Sequence, residues 1–459
     1  MPQNFMNLLY SRPSIREIQQ ALTSGELKSG EMLEHYSNLI EQIDPRVNAF
    51  ITILPPEIMK IDLKKPLAGV PLVLKDLFET EGIITTAGAE FLRNNIPSQD
   101  ATVVRNLKDA GAIILGKTNM HEIALGVTNI NPHYGTCRNP WDLKHISGGS
   151  SGGSAVAVAA GMCIAALGTD TGGSIRIPSS LCGTVGLKPT FGRVSLRGVI
   201  PLSTNLDHVG PIATHVQDAA LLLQCIAGFD ALDPFCIDRP VDDYLSHLDE
   251  DIKGWRIAIL EGDFIDNSQP QVLSAVQDAV KVFMELGAIG EKINISWLPD
   301  AAKANSIITQ VDAASYYHQR LITVPNDFGE DVLRRLRIGA AYSSLEYEQA
   351  RQNQLECKPL FKDLFECYDL LILPTTPCTA PLIEGTDALE QARNLTSFTS
   401  PFNLAGIPAL SLPCGFSHEG LPIGLQIVGP EWQEANVLQA GSAFERSTQW
   451  HEKIPRLNH

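Results

Sequence analysis

The sequence predicts an α/β protein: a large mixed β-sheet core covered by helices on both faces, with a helical elaboration. Three observations carry that reading. Apolar runs of strand length recur at residues 67–74, 112–115, 370–373 and 409–412, each bounded by turn residues. Between them lie helical patterns at 14–24, 29–43, 103–109, 273–286 and 346–367, and alternating strands and helices imply a sheet sandwiched by helices. No internal repeat, low-complexity segment or long linker divides the chain, so residues 1–459 read as one domain. Within it, N-terminal helices occupy 1–65 and a more polar, helical elaboration spans about 250–360.

Taken in order, Ser14-Ile15-Arg16-Glu17 has the form of a capping box, in which the Ser hydroxyl and the Glu carboxylate each satisfy a free N–H at a helix start. Asp44-Pro45 predicts the end of the second helix, because proline lacks the N–H that the next turn needs. The strand at 67–74 runs directly into Lys75-Asp76. The helix at 103–109 is closed by Gly111 and followed by the strand at 112–115. The longest uncharged apolar run, 155–167, reads as one buried helix and is too short to span a bilayer. The late strands at 370–373 and 409–412 imply that both halves of the chain close the core.

The balance of 35 basic and 52 acidic residues gives a net charge of −17, which argues against direct binding of nucleic acid or an anionic membrane. The nine cysteines form no C-x-x-C pair and read as buried thiols in a reducing compartment. With no secretory leader pattern in the opening residues, the expected location is cytoplasmic. No Cys/His spacing or H-x-H cluster suits a metal, and no cofactor is expected.

Two motifs match patterns whose context is wrong. Residues 111–118 satisfy G-x-x-x-x-G-K-[ST], but the middle four, Ala112-Ile113-Ile114-Leu115, read as a strand and leave no glycine nest for a phosphate. Residues 148–152 satisfy G-x-S-x-G, the turn that presents a nucleophilic serine, but a loop precedes them instead of the required strand. A Ser-His-Asp hydrolase would also need a later histidine such as His451, which no local signal selects.

The chemistry concentrates between Ser147 and Cys182. Gly149-Ser150-Ser151-Gly152-Gly153 and Thr171-Gly172-Gly173-Ser174 flank the apolar run. Glycines allow close backbone approach and serines supply hydroxyls, a combination suited to acyl transfer, where a nucleophilic oxygen and several N–H donors face one carbonyl. Lys75, at the end of an apolar strand, either reaches solvent along its stem or is desolvated into a neutral base. These three elements together resemble the amidase signature family. The strings around Lys75 (VLKDLF), Ser150 (SGGSSGGS) and Ser174 (GTDTGGSIRIPSS) carry the likeness. So do Val70-Pro71, Gly116-Lys117-Thr118-Asn119-Met120, His133-Tyr134-Gly135-Thr136, 186–192 and 422–426.

The resemblance implies the amidase signature fold and the following roles. Ser174 is the acyl-forming nucleophile. Ser150, preceded by a cis peptide bond, relays protons between Ser174 and a neutral Lys75. Amides of Thr171, Gly172, Gly173 and Ser174 form the oxyanion hole. Ser151, Ser154, Asp170 and Arg176 are supporting residues, the last two as a pair that shapes the nucleophile loop. A serine relay suits amides because a poor amine leaving group must be protonated as it departs.

The triad does not select a substrate. The main expectation is hydrolysis of a carboxamide or ureido C–N bond of a small molecule, close to the carboxybiuret-hydrolase-like branch, which 131–140 and 233–236 resemble. The alternative is the glutaminase subunit of a tRNA-dependent amidotransferase. By resemblance that subunit reads glutamine with an arginine, here Arg335, and an aspartate, where this chain carries Thr396. Loss of that carboxylate disfavours glutamine. Arg335 either binds a substrate carboxylate or belongs to a solvated helix face at 334–337. Thr128 and Asn131 either line the cleft or brace a loop, and Tyr316, Tyr317 and His318 either roof the pocket or pack. A catalytically inactive subunit homologue is a further alternative. Partners are a small amide substrate and, in assembly, a homodimer or a small partner subunit.

Overall fold

The computed structural model describes residues 12–55, 61–385 and 387–457, so the opening residues of the N-terminal segment lie outside the described part. Among the described residues eleven strands form one mixed sheet. They are β1 (Phe50–Ile53), β2 (Pro71–Lys75), β3 (Ile113–Thr118), β6 (Ala165–Asp170), β7 (Val185–Lys188), β8 (His208–Ala213), β9 (Arg256–Leu260), β10 (Ile289–Ile293), β11 (Leu370–Pro374), β12 (Ala409–Phe416) and β13 (Pro422–Val428). A separate short pair, β4 (Ile130–Asn131) and β5 (Gly135–Thr136), lies between. The sheet order is β1-β3-β2-β6-β8-β7-β12-β13-β11-β9-β10, so the second half of the chain supplies one side of the sheet as expected.

Strands β3, β2 and β6 run parallel, with Leu74 opposite Leu167. That register carries the C-terminal ends of β2 and β6 to the same edge of the core, where ligands bind in open α/β sheets. Helix α1 (Ile15–Ser24) opens with the predicted capping box: Glu17 N donates to Ser14 Oγ at 3.3 Å, and Ser14 N to Glu17 Oε2 at 2.8 Å. Helix α2 (Ser29–Val47) runs through Pro45 instead of ending before it. At the exit of this helix the Asp44 carboxylate accepts from Ala49 N at 2.6 Å and Phe50 N at 3.2 Å.

The apolar run at 155–167 is not one helix. It divides into α3 (Gly152–Ala159), a turn with Gly161 at φ 73°, and the start of β6. Every side chain of the run but Gly161 is buried, so no polar face marks where helix gives way to strand. The segment 250–360 is helical only in part: β9 and β10 lie within it and extend the sheet. Its longer helices are α4 (Pro270–Glu285), which lies between the two strands, and α5 (Leu298–Tyr316), α6 (Glu330–Ala341) and α7 (Ser344–Cys367), which come after them. Among the described residues no helix is long and apolar enough to cross a membrane.

Candidate active site

Lys75 closes β2 and is fully buried. Its Nζ lies 2.7 Å from Ser150 Oγ and 2.8 Å from Thr169 Oγ1. Burial lowers its pKa to about 7, against the opposing pull of the Asp207 and Asp170 carboxylates. This is the desolvated lysine, not the one that reaches solvent. Thr169 has no role in the sequence reading; the parallel register of β2 and β6 delivers it, and only its place in GTDTGGS marked the position.

The Gly149–Ser150 peptide is cis. Gly148 before it has φ 76°, and a Cβ there would stand 2.9 Å from Pro178 Cα, so glycine is required for the close approach. His121 N donates to Ser150 O at 3.2 Å. Ser151 N donates to Ser174 O at 3.2 Å, which joins the two serine-rich turns. Ser151 Oγ donates to Thr169 O at 3.1 Å, and Ser154 Oγ to Leu167 O at 3.0 Å, fixing the first turn to β6.

The loop carrying Ser174 is shaped by a buried ion pair. Asp170 accepts from Arg176 Nε and Nη2, both at 3.0 Å, and from the amides of Gly173 at 2.7 Å and Ile175 at 3.1 Å. Burial alone would raise the Asp170 pKa, but the Arg176 guanidinium, with Lys188 and Asn403, holds it well below the usual carboxylate range. Arg176 reaches onward to Gln426 Oε1, Asn403 Oδ1 and Thr399 O, at 2.6, 2.6 and 3.0 Å. The Gly173 N–H expected to face a substrate oxygen is instead given to the Asp170 carboxylate, because that carboxylate is buried beneath the loop. A Cβ on Gly173 (φ 132°) would meet Thr399 Oγ1 at 2.2 Å. Thr171 Oγ1 donates to Asp207 Oδ1 at 2.6 Å; burial raises this carboxyl to about 6. Asp207 is a second residue the sequence reading missed, since a lone Asp in a loop carries no local signal.

A cavity of about 490 Å³ opens above Ser174, lined by Thr171, Gly172, Asn305, Arg335 and Thr396 among others. Arg335 is buried on α6 and not part of a solvated face. Its Nε donates to Asp331 Oδ1 at 2.9 Å and its Nη2 to Ala388 O at 2.6 Å. Asp331 also lies 3.1 Å from His121 Nε2; burial pushes it upward, but His121 and Arg335 outweigh that and hold it at about 2.

Other expectations resolve differently. Asn131 does not line this cavity: its Nδ2 donates to Gly88 O and Met120 O at 2.8 and 2.9 Å, and its Oδ1 accepts from His133 N and Tyr134 N. Thr128 is likewise buried in the loop, 3.5 Å from His121 Nδ1. Both brace the loop because their polar groups are committed to it. Tyr317 packs edge-on against Phe91 and Phe328 and is not among the residues lining this cavity. His451 packs against His215. Lys117, of the phosphate-loop pattern, is buried in β3 and bonds Phe78 O and Thr85 Oγ1, with Asp76 at 3.2 Å.

Residues 31–438 match the model of the Amidase family. The chain belongs to the amidase family. It is 41% identical to a subunit of glutamyl-tRNA(Gln) amidotransferase from Moorella thermoacetica, covering 96% of this chain and 98% of that protein. Among solved structures, it matches a chain of a vestigial protein complex bearing on the origins of an s-triazine catabolic enzyme. The TM-score there is 0.87 at 33% identity, over 97% of this chain and all of the other. It also matches 6-aminohexanoate cyclic dimer hydrolase, with TM-score 0.88 at 29% identity, over 98% and 99% of the two chains. This family membership supports a hydrolase acting on amide C–N bonds. On identity alone, the amidotransferase alternative is better supported than the small-amide reading placed first in the sequence.

Proposed function

We infer that the protein is a serine amidase that cleaves a small amide through an acyl-enzyme on Ser174. The observation that carries the reading is a buried lysine with its pKa lowered to about 7, set 2.7 Å from the hydroxyl of Ser150. Near neutral pH such a lysine has a lone pair to offer. One of its N–H groups is given to Thr169, which leaves the lone pair for the Ser150 proton. Ser150 in turn accepts the proton of Ser174 as Ser174 Oγ attacks the amide carbon. The carbonyl oxygen turns to the amides of Thr171, Gly172 and Ser174, Gly173 N–H being given to Asp170, and one well-placed donor is worth roughly 3–4 kcal/mol. Collapse of the tetrahedral intermediate returns the proton through Ser150 to the departing nitrogen, releasing ammonia or an amine. Water then attacks the acyl-Ser174 by the same relay, giving the acid and free enzyme. Asp170 and Arg176 hold the loop in place, and Arg335 anchors the far end of the substrate.

The second reading, the glutaminase subunit of a tRNA-dependent amidotransferase, is favoured by relatives of 38–41% identity that are named as subunits of glutamyl-tRNA(Gln) amidotransferase. Against it stands Thr396 in the cavity wall, where the glutamine-reading pattern calls for a carboxylate. The two readings share the triad. A fluorophosphonate probe tests what they share: the adduct is expected on the peptide holding Ser174, and labelling that leaves this peptide unmodified would exclude both.

A further inference from the structure

The cavity above Ser174 is lined by three cationic side chains, Lys303, Arg335 and Arg393, and by no Asp or Glu. This is the reverse of the molecule as a whole, whose net charge is −17. Lys303 comes from α5, Arg335 from α6 and Arg393 from the helix Ala388–Thr396, so three separate elements contribute one sign of charge. Among the described residues neither Lys303 nor Arg393 forms an ion pair within 4.0 Å; each is exposed at the cavity wall. Arg335 is paired with Asp331, but that carboxylate is also tied to His121 and does not line the cavity. The remaining polar groups of the wall, such as Asn305, Gln310, Thr396 and Ser397, are neutral.

We propose that the substrate is an anionic amide without an ammonium group, carrying at least one carboxylate at the end remote from the scissile bond. This rests on the amidase reading and extends it to a substrate class. A single-sign cleft attracts its counter-ion over a distance and raises the rate of encounter, and the effect is screened by salt. Lys303 and Arg393 at the opening supply that attraction. Arg335, buried and braced on two nitrogens, is the carboxylate reader. An α-ammonium on the same substrate meets the unpaired cations Lys303 and Arg393 and no acidic side chain in the cavity wall, which repels it.

Glutaramate, glutamine and butyramide separate these terms. All three present a primary carboxamide; glutamine is glutaramate with an α-ammonium, and butyramide lacks the carboxylate. Each is used to protect Ser174 from a neutral fluorophosphonate, at low and high salt. Glutaramate should protect at a concentration at least tenfold below that needed for the other two. The advantage should narrow at high salt and in the Lys303→Gln/Arg393→Gln double variant, whose changes are on exposed side chains. Equal protection by butyramide, preference for glutamine, or no difference among the three would overturn the proposal while leaving the amidase reading in place. Failure of the probe to label Ser174 at all would remove both.

Discussion

Lys75 has two hydroxyls, Ser150 and Thr169, as its side-chain hydrogen-bond partners, and its Nζ is sealed from solvent. Burial therefore favours the free amine, and the sign of the pH dependence follows. Below about pH 7 Lys75 holds its proton and cannot accept another; as pH rises through that value the base form accumulates. The rate of Ser174 acylation should climb through a pH near 7 to a plateau, as followed by stopped-flow labelling across pH. Lys75→Met should remove that limb and lower the rate by orders of magnitude. Thr169→Val keeps the β-branched shape but deletes the acceptor that aims Nζ. A loss of about five- to tenfold is expected, in line with ~1–1.5 kcal/mol for a hydrogen bond. The lysine and both serines were legible from local strings. Thr169 and Asp207 were not, because their place depends on which strands pair and not on what surrounds them in the chain.

At the scale of the element, the turn from β6 into the helix Arg176–Cys182 is held from within. Asp170 accepts from two loop amides and from Arg176, and Arg176 spreads its remaining N–H groups over Thr399, Asn403 and Gln426. A buried charge stripped of its partner is strongly destabilising. Asp170→Ala leaves Arg176 buried and uncompensated, with an expected loss of about 3–5 kcal/mol in urea unfolding. The same turn shows where sequence reading stops. Residues 155–167 hold no polar residue to set a period, so a helix, a turn and a strand read as a single helix. At Pro45 the helix continues to Val47, so the proline lies within its last turn and does not end it. The capping box at Ser14 was legible because both of its partners lie within one turn of sequence.

For the whole molecule, the mixed sheet with both halves of the chain contributing was legible from the spacing of apolar runs. Its order was not, since β8 inserts between β6 and β7 and only tertiary packing decides that. That order brings the ends of β2 and β6 together beneath the Ser174 loop. It also lets α5, α6 and the helix Ala388–Thr396 wall the same cavity as Ser174, with Arg335 among its lining residues. The choice between a solvated and a cavity-lining Arg335 needed this packing, because helical spacing alone allows either. Every step of the proposed reaction passes through one atom, Ser174 Oγ. Ammonia release from glutaramate by the wild type and by Ser174→Ala, each checked for folding by circular dichroism, is therefore the most direct test. Turnover is expected from the wild type and none above background from the folded variant. Turnover retained in Ser174→Ala would contradict the assignment of the nucleophile.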